Sequence, residues 1–182
     1  LSTSVLAGPN ATAGKWTYLN PADPTDFCLM LPPTKGMGIG ASEGQAVSYC
    51  TNPSDAPGAR QFDSAAVLLA HQVVDYKNNW IQMTGYLDNN ILQIDPTPGS
   101  GGQYDDAPWG VEPTSGCLGY TRYIELVGVI PNTTRAEFCI RCCMIPNITD
   151  AFDHSVDNPC FAGHDTLGCD VDIPGDYSSP GI

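Results

Sequence analysis

Phe138-Cys139-Ile140-Arg141-Cys142-Cys143-Met144 carries three of the chain's eight cysteines in seven residues. Read as a strand, it places Phe138, Ile140, Cys142 and Met144 on one face and Cys139, Arg141 and Cys143 on the other, because side chains alternate with period two. Such a strand is tied to partners on both faces at once. That fixes a fold and offers no reaction.

The remaining cysteines are Cys28, Cys50, Cys117, Cys160 and Cys169. An even, clustered set suggests disulfides in an oxidising compartment. Cys139-Ile140-Arg141-Cys142 also has the spacing of a zinc site or a redox dithiol, but outside a cell disulfides are the expectation. Cys142 and Cys143 point apart along a strand and so should bond different partners. Cys28 with Cys50 is the expected local pair, and Cys160 and Cys169 are expected to take two of the three strand cysteines.

The compartment reading rests on a second signal. Three glycosylation sequons are present, at Asn10, Asn132 and Asn147, whereas Asn52-Pro53-Ser54 fails through its proline. The chain opens on Leu1 and is read as a processed, secreted chain. The longest apolar run, Ala65 to Ala70, is too short to span a bilayer. A formal net charge of −13 sets aside nucleic acid and anionic lipid as partners.

Outward from the cysteine strand, 16 Pro and 19 Gly argue for short strands and turns over long helices. Residues 1 to 14 read as an N-terminal arm with Leu1, Val5 and Leu6 as its sizeable apolar side chains, and residues 15 to 182 as one secreted β domain. Strands are expected at Trp16 to Leu19, Phe27 to Leu31, Ala65 to Tyr76, Trp80 to Leu87 and Tyr120 to Val129, with Lys77-Asn78-Asn79 as a hairpin turn. Ser42 is expected to cap a helical turn, Ile91 to Ile94 to continue the strand pattern, and residues 95 to 116 to form a long surface loop. The fold expected is all-β: a disulfide-stapled sandwich or distorted barrel with long loops and little helix.

Several of these stretches, in order, resemble a family of secreted cysteine-rich fungal proteins. They are Phe27-Cys28-Leu29-Met30-Leu31-Pro32-Pro33, Gly36-Met37-Gly38-Ile39-Gly40, Trp80 to Gly85, Gly101 to Asp105, Cys139-Ile140-Arg141-Cys142-Cys143 and Pro174-Gly175-Asp176-Tyr177. The resemblance runs from about Phe27 to Tyr177 and implies a fungal or fungus-like secreted protein. It brings no activity, because no catalytic residues are established for that family.

Candidate chemistry is sparse. The glycines of Lys35 to Gly40 lack the Gly-Lys-Ser/Thr of a phosphate loop. His71 lies in an apolar strand, and His154 and His164 lie in acidic loops with no nucleophile turn to serve. Asp150, Asp153 and Asp157, or Asp165, Asp170, Asp172 and Asp176, have oxygen for calcium but not EF-hand spacing. Asp105 and Asp106 would need a distant carboxylate for glycoside hydrolysis. Tyr104 and Trp109, with Tyr120 and Tyr123, would suit sugar stacking. No catalytic residue, cofactor or metal is expected.

Three functions remain. The first is an extracellular structural glycoprotein that self-assembles into a fibre or surface layer, with Leu1 to Ala7 completing a neighbour's sheet. Its partner is a copy of itself. The second is a secreted carbohydrate-binding module, with cell-wall polysaccharide as partner. The third is a secreted hydrolase.

Overall fold

The computed structural model describes residues 14–106, 116–145, 158–163 and 167–178. Their strands form two five-stranded sheets. The first contains β1 (Trp16–Leu19), β2 (Phe27–Leu31), β3 (Val47–Cys50), β4 (Arg60–Gln61) and β8 (Gly116–Cys117), in the order β4-β3-β2-β1-β8. The second contains β5 (Val67–Asp75), β6 (Trp80–Asp88), β7 (Gly102–Asp105), β9 (Arg122–Val129) and β10 (Arg135–Cys143), in the order β5-β6-β10-β9-β7. The architecture is an all-β, disulfide-rich sandwich and not a closed barrel.

The cysteine strand is β10, at the centre of the second sheet. It runs antiparallel to β6 from Arg135↔Asp88 to Cys143↔Trp80 and to β9 from Ala136↔Val129 to Cys143↔Arg122. Its alternation is the predicted one from Phe138 to Cys143, but Met144, expected on the core face, lies past the strand's end and is exposed. Ala136, Phe138, Ile140 and Cys142 enter the core between the sheets, where Phe138 stacks on Phe27 of the facing sheet at 6.5 Å between centroids. Cys139 and Cys143 face away, into a second, smaller core with Ile124, Leu126, Cys160, Cys169 and Ile173.

All eight cysteines are paired. Cys28–Cys50 links directly opposed residues of β2 and β3. Cys117–Cys142 joins the two sheets, and Cys139–Cys169 and Cys143–Cys160 hold C-terminal segments over the outer face of the second sheet. The zinc and redox readings of these thiols therefore fall. The bridged residues lie 17 to 30 positions apart, so each closure contributes on the order of 3 kcal/mol by restricting the unfolded chain.

The outer layer is also held by hydrogen bonds. Gln82, Thr84 and Tyr86 share the outer face of β6 and donate to the carbonyls of Pro174, Asp176 and Tyr177 at 3.1, 2.8 and 3.0 Å. Arg141 donates from Nε and Nη2 to Gln82 Oε1 at 2.9 and 2.6 Å and from Nη1 to the Pro159 carbonyl at 2.7 Å, with its guanidinium over Trp80. The arginine inside the cysteine cluster is thus a structural clamp.

One charged residue type sits where an apolar one is expected. Glu125 of β9 has no exposed surface and points between the sheets, where its Oε2 accepts from the Met30 amide at 3.0 Å. Its Oε1 is buried and has no hydrogen-bond partner among the described residues. Burial pushes this carboxyl well above the usual range, opposed only by the Met30 bond.

Three local expectations need correction. Ser42 is not a cap: it lies inside a 3-10 turn (Gly40–Gln45), buried, with its hydroxyl bonded to the Gly38 carbonyl and to Tyr104 Oη. Ile91 to Ile94 does not continue a strand. Asp88 caps a short helix, α1 (Asn89–Leu92), by accepting from the Asn90 amide, and Gln93 ends it in the left-handed region. Residues 95 to 116 are not all loop, since β7 lies within them and β8 begins at their last residue. Gly101 and Gly102 mimic a loop signal but serve close approach: side chains there would press on the Val127 carbonyl and the Gly40 amide.

Candidate assembly edge

A sheet leaves backbone donors and acceptors unpaired at its outermost strands. Three of the four edges here are short. β4 and β8 have two residues each, and β7 has four and lies against Gly40. The fourth, β5, is nine residues long and pairs only with β6 among the described residues. Its sequence, Val67-Leu68-Leu69-Ala70-His71-Gln72-Val73-Val74-Asp75, contains no Lys, Arg or Pro, the residues that commonly blunt an edge. Leu68 is 43% exposed, Val73 47%, and Tyr76 just beyond the strand 79%.

The inner side of β5 is anchored. Val67, Ala70 and Val74 pack on the inter-sheet core. Gly85 of β6 allows the close approach, because a Cβ there would lie 2.0 Å from the Leu69 carbonyl oxygen, next to the register irregularity between Val67 and Leu69. The hairpin turn to β6 is set by Asp75, whose Oδ1 accepts from the amides of Lys77 and Asn78, and by Asn79 at φ 55°.

Beside β5 runs an open groove of about 230 Å³, lined by Pro24, Thr25, Phe27, Thr51, Val67 and Ala70 among others. A larger groove of about 430 Å³ lies near Leu31, Pro33, Tyr49, Phe62 and Ile94. No long strand edge borders it. The smaller groove is the one that offers apolar side-chain sockets next to a strand whose outer side pairs with nothing among the described residues, which is what an added strand requires.

Two loops wall this groove, and each contains the same turn. Asn20-Pro21-Ala22-Asp23 and Asn52-Pro53-Ser54-Asp55 both close with the asparagine Oδ1 accepting from the amide two residues on, at 3.0 and 3.3 Å. Asn20 Nδ2 then donates to Asp26 Oδ2 at 2.7 Å, and Asn52 Nδ2 to Asp55 Oδ1 at 3.1 Å. The other oxygens, Asp26 Oδ1 and Asp55 Oδ2, are buried without a donor among the described residues. The Asn-Pro-x-Asp of the second loop supplies Asp55, whereas the first loop supplies Asp26, three residues past its own motif aspartate, Asp23.

Other expected sites fare differently. Tyr104 is no stacking platform: it is 1% exposed, bonded to Ser42, and burial raises its hydroxyl. Tyr123 is likewise buried. Asp106 is engaged with Arg122 at 3.1 Å, and burial raises its carboxyl against that pull, while Asp105 accepts from Gln103 at 2.8 Å. His71 sits on the edge strand, 3.8 Å from Asp176. Asp170 and Asp172 belong to α2 (Cys169–Asp172), and no group of three metal-binding side chains is assembled among the described residues. Asn132 is exposed at φ 60° in the turn between β9 and β10. Leu1, Val5, Leu6, Asn10, Trp109, Asn147, Asp150, Asp153, His154, Asp157, His164 and Asp165 lie outside the described residues.

No helix among the described residues is long and apolar enough to cross a membrane. Compared with protein-family models, with curated proteins and with solved structures, the chain matches none.

Proposed function

We propose that the protein is an extracellular structural glycoprotein that assembles by strand addition, with Leu1 to Ala7 of one copy laid along the β5 edge of the next. The observation that carries this reading is a nine-residue, largely apolar edge strand that pairs only with β6 among the described residues, with a groove beside it. The proposed donor, Leu1-Ser2-Thr3-Ser4-Val5-Leu6-Ala7, supports it, since Leu1, Thr3, Val5 and Ala7 fall on one face of an extended chain. Donor and acceptor are different surfaces, so the contact is head-to-tail and propagates. Four disulfides are compatible with an extracellular setting, and the resemblance to secreted fungal proteins points the same way.

The test uses two variants of the full chain. Deleting residues 1–13, or introducing Leu68→Lys with Val73→Lys on the exposed edge, should each leave a folded monomer in light scattering while the unmodified protein forms larger species. If both variants assemble as the unmodified protein does, the reading is wrong. The polysaccharide reading loses Tyr104 to burial.

A further inference from the structure

We propose that Asp26 and Asp55 form a one-proton latch between the two loops that wall the β5 groove, so that acidification closes the latch and favours strand acceptance at that edge. The proposal rests on the assembly reading above and names its regulation.

The geometry is that of two fixed acceptors facing each other. Each asparagine is oriented by its own turn, so its amide nitrogen is committed to one oxygen of its aspartate. The Asp55 carboxyl and Asp26 meet through their side chains. Two ionised carboxylates repel there, whereas one shared proton turns the contact into a hydrogen bond. Neither residue forms an ion pair among the described residues. The other titratable group facing them is Tyr18 of β1, whose hydroxyl is raised by burial, by both carboxylates and by Tyr120.

The latch is wired to the groove. The Asn20 carbonyl accepts from Gln72 Nε2 of β5 at 2.9 Å, which ties the first loop to the edge strand. Pro24 and Thr25 of that loop and Thr51 of the other line the groove. Phe27 and Thr51 bond reciprocally, amide to hydroxyl at 3.0 Å and amide to carbonyl at 2.9 Å. A closed latch holds both walls in place before a strand arrives, which lowers the ordering cost of binding.

Burial, the hydrogen bond to Asp26 and its charge push the Asp55 carboxyl up to about 6. A folded-state value above the unfolded one stabilises the acidic side. The contribution is complete below the ordinary aspartate range, about 3.9, and is lost as pH rises through about 6.

Asp55→Asn tests this, because an amide can donate to Asp26 Oδ1 at any pH. Hydrogen exchange of residues 20–27 and 51–59 in the full chain, in EDTA and corrected for intrinsic rates, is compared at pH 4.5 and 7.5 alongside light scattering. The unmodified protein should lose protection in both loops severalfold at pH 7.5 and assemble less. Asp55→Asn should be equally protected and assemble equally at both, with Asp26→Asn as its mirror. Equal loop protection at both pH values in the unmodified protein, or an undiminished pH response in the variants, overturns the latch. A loop response without assembly at either pH overturns the assembly reading and the regulatory claim, and leaves the latch itself standing.

Discussion

Replacing Glu125 by Gln tests how the core tolerates a carboxyl. The side chain is sealed between the sheets, with Tyr104 opposite on β7 and Ile140 opposite on β10. The bond that it accepts from the Met30 amide at 3.0 Å can be kept by the Gln carbonyl oxygen. Burial raises the folded carboxyl well above the range of about 4.3 it has in an unfolded chain. Unfolding above that pH releases a proton, so the folded state loses about 1.4 kcal/mol of relative stability for each further pH unit while Glu125 stays protonated. The sign follows from the raised value: the contribution is full in acid and falls as pH rises. Gln does not titrate. Asp55, Asp106 and Glu137, also raised by burial, act equally in both proteins and cancel in the difference. Guanidinium unfolding followed by tryptophan fluorescence, with disulfides intact, should therefore show the stability of Glu125→Gln gaining on the unmodified protein steadily from pH 4.5 to 7. A difference that stays constant across that range would mean the carboxyl ionises in place, and would refute the argument.

Gly85→Ala forces a Cβ to within 2.0 Å of the Leu69 carbonyl oxygen and 3.0 Å of the Phe138 ring, so it should cost about 3 kcal/mol or more and lower the melting temperature by calorimetry. Cys143→Ala with Cys160→Ala releases the 158–163 segment from β10, which should expose it to limited proteolysis and remove on the order of 3 kcal/mol, leaving the inter-sheet bridge Cys117–Cys142 intact. Asn132→Gln should remove one N-glycan, seen by mass spectrometry after expression in a secreting eukaryotic host, at a small cost in stability, since the residue sits in an exposed turn at φ 60°, which suits asparagine better than glutamine.

Where strands carry strict alternation, the fold was legible. In β10 the pattern of Phe138, Ile140 and Cys142 against Cys139 and Cys143 assigned both faces, whereas Cys160 and Cys169 were expected only to take two of the three strand cysteines, and the structure shows which: Cys143 and Cys139. Cys28–Cys50 followed from proximity along the chain and proved to be a cross-strand pair. The second sheet's edge β7 was hidden because Gly101 and Gly102 read as turn residues, although their role is to let backbones meet. Tyr104 was mistaken for a surface aromatic because the loop around it is polar, yet burial is decided by packing against Ser42 and the inter-sheet core. Glu125 carried no local signal at all: a glutamate flanked by Ile124 and Leu126 reads as the solvent face of a strand, and only the first sheet, facing it, makes that face interior. The edge itself was half visible. Composition placed a strand over residues 65 to 76, but which strand remains unpaired is a property of sheet order.

The most direct test of the central claim is complementation between two assembly-dead proteins. The chain lacking residues 1–13 keeps the β5 edge, and the full chain with Leu68→Lys and Val73→Lys keeps the arm. The account predicts that each alone stays monomeric and that their mixture forms a one-to-one complex that grows no further, measured by size-exclusion chromatography with light scattering. A mixture that remains monomeric, while the unmodified protein assembles, would contradict the pairing of the arm with β5.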